Sequence, residues 1–89
     1  MSERLIMLKA LLKLNQTSSF TNLSRSKIYA DIKEGIFPPP IKLGSRSVAW
    51  VDHEISEWMQ ARIAGKTDED LKELVANLVH ARQSGYMTK

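Results

Sequence analysis

The chain has 89 residues, 43% hydrophobic and 26% charged, the proportions of one ordinary soluble domain. A domain this small buries only about 60–65% of its unfolded surface, too little to wall a large enzymatic cleft, and the absence of cysteine excludes disulfides and thiolate metal sites. The net charge of +3 is unevenly divided: residues 1–51 hold eight Lys/Arg against three Asp/Glu, whereas residues 52–89 hold five against seven. A polyanionic partner would therefore meet the first half.

No apolar run reaches the length of a bilayer span, and Glu3, Arg4, Lys9 and Lys13 interrupt the first apolar stretch. That pattern breaks the h-region of a signal peptide, so the expected location is the cytoplasm, with no membrane partner. Two readings stay open for residues 1–14. Leu5, Leu8 and Leu12 share one side of a helix, whereas Leu12 and Leu14 alternate about Lys13 in the strand manner. The stretch is read as an irregular or helical extension ending in a short strand near residues 11–14. Asn15 is then expected to cap a short helix over residues 16–21, with Phe20 turned inward. Thr17, Ser18 and Ser19 are poor helix formers, so context must supply that helix.

Asn22 tolerates the left-handed conformation and turns the chain into a second helix, which Ser24 caps. Ile28 and Ile32, four apart, share a core face with Leu23. Ser26, Tyr29, Ala30 and Lys33 lie opposite, flanked by Arg25 and Lys27, with Asp31 and Glu34 displaced from that polar face. Gly35 stops the helix and Phe37 plugs the core. Pro38, Pro39 and Pro40 form an extended, stiff connector. A hairpin follows: Ile41, Lys42 and Leu43, a turn of Gly44, Ser45, Arg46 and Ser47, and a return over Val48, Ala49, Trp50 and Val51. An isolated hairpin is marginal, so Leu43, Val48 or Trp50 must pack on the helices.

Asp52 is expected to cap a third helix, with Glu54 in its first turn, and Ile55, Trp58, Met59, Arg62 and Ile63 mark one face before Gly65 stops it. Trp50 and Trp58 sit among aliphatic residues, which favours core packing over base stacking. Thr67 and Asp70 resemble a capping box opening a last helix of about 16 residues that ends before Gly85. Its stripe of Leu71, Leu74, Val75, Leu78 and Val79 either folds back on the domain, the favoured reading, or seeks another protein surface. Tyr86 to Lys89 read as a frayed tail.

The run from Leu23 to Ile63 resembles the AlpA family of prophage regulatory proteins, winged-helix relatives of the MerR-type DNA-binding domain and of phage excisionases. The resemblance is carried by Leu23-Ser24-Arg25-Ser26 with Ile28-Tyr29, Glu34-Gly35 before Phe37-Pro38 and Pro40, Lys42-Leu43-Gly44, Arg46, Trp50, and Glu54-Ile55 with Trp58. Two departures stand out: Asn22 occupies the turn where the family usually has glycine, and the chain from Gly65 onward lies outside the matched core.

The resemblance implies a mainly α fold with a small β-hairpin, a winged helix-turn-helix plus a C-terminal helix. Residues 24–34 would be the recognition helix, residues 44–47 the wing tip and the helix of Ile55 and Trp58 the support. The chain divides accordingly into residues 1–14, an extension with a short strand, residues 15–65, the DNA-binding domain, and residues 66–89, an amphipathic helix and tail. The implied function is sequence-specific binding of double-stranded DNA at attachment-site arms or a promoter. The protein would serve as a recombination directionality factor, a transcriptional regulator of the integrase region, or both.

Within that frame Arg25, Ser26, Tyr29 and Lys33 approach base edges or neighbouring phosphates, and Ser24 and Lys27 suit backbone contacts. Arg46 suits the minor groove, with Lys42 and Ser45 bracing the hairpin on phosphates. Integrase is a candidate partner, as are further copies along the site. The competing reading is an adaptor that binds integrase or a host protein through the terminal helix. Enzymatic function has no support from the residues: there is no phosphate loop or glycine-rich fingerprint, and His53 and His80 lie far apart without clustered ligands. No metal or cofactor is expected.

Overall fold

The computed structural model describes residues 10–84. In chain order these form β1 (Leu11–Leu12), α1 (Leu14–Thr21), α2 (Arg25–Glu34), β2 (Ile41–Lys42), β3 (Val48–Val51), α3 (Asp52–Ile63) and α4 (Asp68–Ser84). The architecture is mainly helical, with four helices and one small antiparallel sheet among the described residues. The expectations for the first nine residues and for the tail from Tyr86 lie outside them.

Helix α1 begins earlier than its sequence suggests. Lys13 takes the extended N-cap conformation, and its amide donates to Gln16 Oε1 at 2.8 Å, so Leu14 opens the helix and Asn15 lies inside it rather than capping it. The Ser/Thr-rich turn stays helical because its hydroxyls return to the chain. Thr17 donates to the Lys13 carbonyl and Thr21 to the Thr17 carbonyl, while Ser18 donates at 2.6 Å to Leu23 at the entrance of α2. This frame makes Leu14, Thr17, Ser18 and Thr21 the inward stripe, with Thr17 fully buried. Phe20 falls to one side of that stripe and is 60% exposed, contrary to the inward position expected for it.

The hairpin gains a third strand. The sheet order is β1-β3-β2, with Leu11 opposite Val51, Leu12 opposite Trp50, Ile41 opposite Ala49 and Lys42 opposite Val48. β1 ends at Leu12 and β2 at Lys42, so Leu14 and Leu43 belong to neither strand, and Leu43 is exposed while Trp50 packs inward. Strand β3 runs directly into α3. The Asp52 amide donates to the Ala10 carbonyl at 2.9 Å, which makes Val51 the N-cap and Asp52 the first helical residue instead of the cap.

Ile28, Ile36, Phe37, Trp50, Ile55, Trp58 and Leu71 form the core. Phe37 and Trp58 meet edge to face with centroids 4.9 Å apart. On α3 the inward face narrows to Ile55, Trp58 and Met59; Arg62 lies over the Trp58 ring and Ile63, at the helix end, is exposed. After Gly65, at φ 79°, Thr67 and Asp70 form the reciprocal capping pair: Thr67 N donates to Asp70 Oδ2, and Asp70 N to Thr67 Oγ1. Helix α4 folds back, burying Leu71, Val75 and Leu78 with Leu74 and Val79 half-buried. Its apolar stripe is therefore largely occupied within the chain.

Candidate nucleic-acid interface

Helix α2 is fixed at both ends and along its inner side. Ser24 Oγ accepts the Lys27 amide at 3.1 Å, Gly35 closes the helix at φ 83°, and Ile28 anchors it with no exposed surface. Asn22, at φ 61°, makes the turn from α1. The outward side presents Arg25, Ser26, Tyr29 and Lys33, all exposed. Ser24 and Lys27 are exposed too, but each is engaged: the Ser24 oxygen by the cap, and Lys27 Nζ by Asp31, a buried carboxylate one turn on, at 3.0 Å.

The second group lies on the hairpin. Lys42 ends β2, and Ser45 and Arg46 occupy the loop 43–47, which the Leu43 amide closes by donating to the Ser47 carbonyl at 2.8 Å. All three side chains are exposed. What holds the hairpin is the connector before it. Three consecutive prolines carry no N–H, so this segment offers only carbonyls. Trp58 Nε1 donates to the Ile36 carbonyl at 2.7 Å, Trp50 Nε1 to the Pro38 carbonyl at 2.9 Å, and Arg82 Nη2 to the Pro39 carbonyl at 2.7 Å. Both tryptophans are thus buried with their polar atoms spent, as core residues rather than base-stacking platforms.

Tyr29 joins the two groups. Its ring, 46% exposed, meets the edge of Trp50 with centroids 6.2 Å apart and planes at 68°. Trp50 lies two positions along β3 from Val48, the partner of Lys42. The polar side of α2 therefore borders the strand that carries the loop.

The cations divide sharply. Lys27, Arg62 and Arg82 have carboxylate partners. Arg25, Lys33, Lys42 and Arg46 have none among the described residues, and neither do Lys13, Lys66 and Lys72 elsewhere on the surface. Their charge is uncompensated locally, as required of groups that displace counterions from phosphates. No cluster of three or more His, Cys, Asp or Glu suited to a metal ion occurs among the described residues, and no helix there is long and apolar enough to cross a membrane.

The sequence concealed Glu54 and Arg82. The Glu54 carboxylate is fully buried and accepts two bonds from the Arg82 guanidinium, Nε to Oε2 at 2.8 Å and Nη2 to Oε1 at 2.6 Å. A glutamate in a first turn and an arginine in a last turn each have a sufficient local explanation, so no local signal pairs them.

No solved structure matches the chain. Among known sequences it is 44% identical over 55 residues to the uncharacterized protein ORF88 of Enterobacteria phage P4, a match spanning 62% of this chain and 62% of that relative's length. The family model described as prophage CP4-57 regulatory protein (AlpA) matches residues 10–63. That span runs from the residue before β1 to the end of α3, taking in both groups of unpaired cations and more than half of the chain; the protein belongs to the AlpA family of prophage regulatory proteins.

Proposed function

We propose that this regulator acts by binding double-stranded DNA as a winged helix-turn-helix, with α1 and α2 as the helix pair, α2 as the recognition helix and the loop 43–47 as the wing. Residues 15–65 are the DNA-binding unit in this reading, with residues 1–14 an extension that adds a strand and residues 66–89 a supporting helix and tail. The observation that carries the reading is the placement of four unpaired cations, Arg25, Lys33, Lys42 and Arg46, on two elements that meet through Tyr29 and Trp50.

Arg25 reads a base edge in the major groove, where its fork matches guanine, with Ser26, Tyr29 and Lys33 at neighbouring bases or phosphates. Ser24 keeps a hydroxyl proton to donate to a phosphate, and Lys27 adds charge at the same edge. Arg46 enters the adjacent minor groove while Lys42 and Ser45 brace the wing on the sugar-phosphate track. One such domain specifies few base pairs, so several copies act along one site. The biological task is control of an integrated element, as a recombination directionality factor bending attachment-site arms for integrase, as a regulator of the integrase promoter, or both. Partners are the DNA, further copies bound to it, and integrase.

Footprinting of the purified protein on both attachment-site arms and on the integrase promoter of the encoding element tests this reading. Protection of the arms supports the excision role, and protection of the promoter alone supports transcriptional control. Protection of neither refutes the proposed target.

A further inference from the structure

The three donors that fix the segment from Ile36 to Pro39 have different origins. Trp50 and Trp58 lie inside the span shared with the family, residues 10–63, whereas Arg82 lies beyond it on α4. Of the three carbonyls held, the one that Arg82 takes is nevertheless nearest the start of β2, since only Pro40 separates Pro39 from Ile41, the first residue of that strand. The ring of Pro40 fixes its own φ and restricts ψ of Pro39, so most of a displacement of Pro39 is passed on to β2.

The guanidinium is itself immobilised. Its Nε and Nη2 grip the two oxygens of Glu54, which has no exposed surface, and the Arg82 side chain is only 18% exposed. Leu71, Val75 and Leu78 seat the rest of α4 on the core. A planar fork spread over a carboxylate and a carbonyl fixes direction as well as distance, which an ammonium group cannot reproduce.

We propose that Arg82 is a positioning residue for the wing: through Glu54 and the Pro39 carbonyl, the C-terminal helix sets the base of the hairpin and so the place at which Lys42 and Arg46 meet DNA. The inference rests on the DNA-binding reading above for its consequence, but the positioning itself can be measured without DNA. Loss of the Arg82 grip then weakens binding through the wing and spares the contacts of α2.

The test uses the full chain carrying E54M/R82M, which removes both buried charges together and substitutes unbranched apolar side chains, a replacement that buried ion pairs tolerate. The Pro39 carbonyl is left without this donor. The expected variant melts cooperatively, exchanges the Leu43 amide hydrogen faster than the parent, and binds a duplex attachment-site arm about tenfold more weakly. In an R46A background the added loss shrinks to less than about twofold, whereas in an R25A background it persists in full. Equal losses in the two backgrounds, or parental affinity with parental exchange at Leu43, overturn the proposal. If the double variant does not melt cooperatively, R82K takes its place: it keeps a charge against Glu54 without the fork, and the same background dependence is expected at about threefold. Should R25A and R46A each bind like the parent, the DNA-binding reading fails, and unchanged Leu43 exchange in the variant would still refute the positioning independently.

Discussion

Helix α2 and the hairpin β2–β3 each present two unpaired cations, Arg25 and Lys33 on one and Lys42 and Arg46 on the other, yet their positions are secured differently. The helix carries its own fixings: the Ser24 cap, the left-handed Gly35 and the buried Ile28 all lie within or beside its ten residues. The hairpin has a two-residue strand, a four-residue strand and a loop closed by the Leu43 to Ser47 bond. Beyond its own Trp50 on the Pro38 carbonyl, its order is imposed from a distance by β1 alongside β3 and by Trp58 and Arg82 on the segment before it. A surface fixed by local chemistry tolerates change elsewhere in the molecule; one fixed by remote donors reports on the whole fold.

Substitutions that act on one surface and spare the other sharpen this contrast, and the largest effect should fall where both depend on one residue. Trp58→Ala removes a buried ring and the donor to Ile36, the residue that leads out of α2. A loss of about 3–5 kcal/mol is expected, enough to abolish cooperative thermal melting in a domain of this size. Melting like the parent's would show that the core has another centre. Next, Arg25→Ala should cost roughly 1–3 kcal/mol of binding to the target duplex with no change in melting temperature, because the side chain is exposed and unpaired. A matching drop in melting temperature would instead assign Arg25 to the fold.

Trp50→Phe keeps most of the ring and deletes the N–H that holds the Pro38 carbonyl. Stability should fall by about 1–2 kcal/mol, and hydrogen exchange should quicken at Leu43 before it does along α2. Uniform acceleration would erase the distinction between the two surfaces. The smallest effect belongs to Phe20→Gln, expected to change stability by less than about 0.5 kcal/mol because the ring is 60% exposed. A larger loss would restore Phe20 to the inward role that its apolar character suggests.

These contrasts explain what could be read in the chain before its structure. Helix α2 was legible because its signals are neighbours: a capping serine, isoleucines four apart and a terminal glycine. The turn at Asn22 and the capping pair Thr67 and Asp70 were legible for the same reason, whereas the fold-back of α4 was favoured only because so small a domain needs every apolar residue buried. Phe20 was misread because the inward stripe of α1 is set by Lys13 and Gln16, which place the helix start ahead of Asn15. Asp52 was misplaced by one residue because its amide donates to the carbonyl of Ala10, the residue before β1 and far away in sequence. The grip of Arg82 on Glu54 and Pro39 spans sequence distances over which neither side chain leaves a periodic trace. The exposed cations were visible as residue types, but their freedom from carboxylate partners emerged only with the fold.

The most direct measurement is the affinity of the purified protein for its own attachment-site duplex, followed across salt concentration for the parent and for R25A/R46A. With roughly four to six phosphates neutralised, the parent's log affinity should fall against log salt with a slope of about −4 to −5. The double variant should bind at least about 100-fold more weakly, with a slope shallower by about 1 to 2. Undiminished affinity of R25A/R46A at physiological salt, with the parent's slope retained, would contradict a DNA-binding surface built from α2 and the hairpin loop.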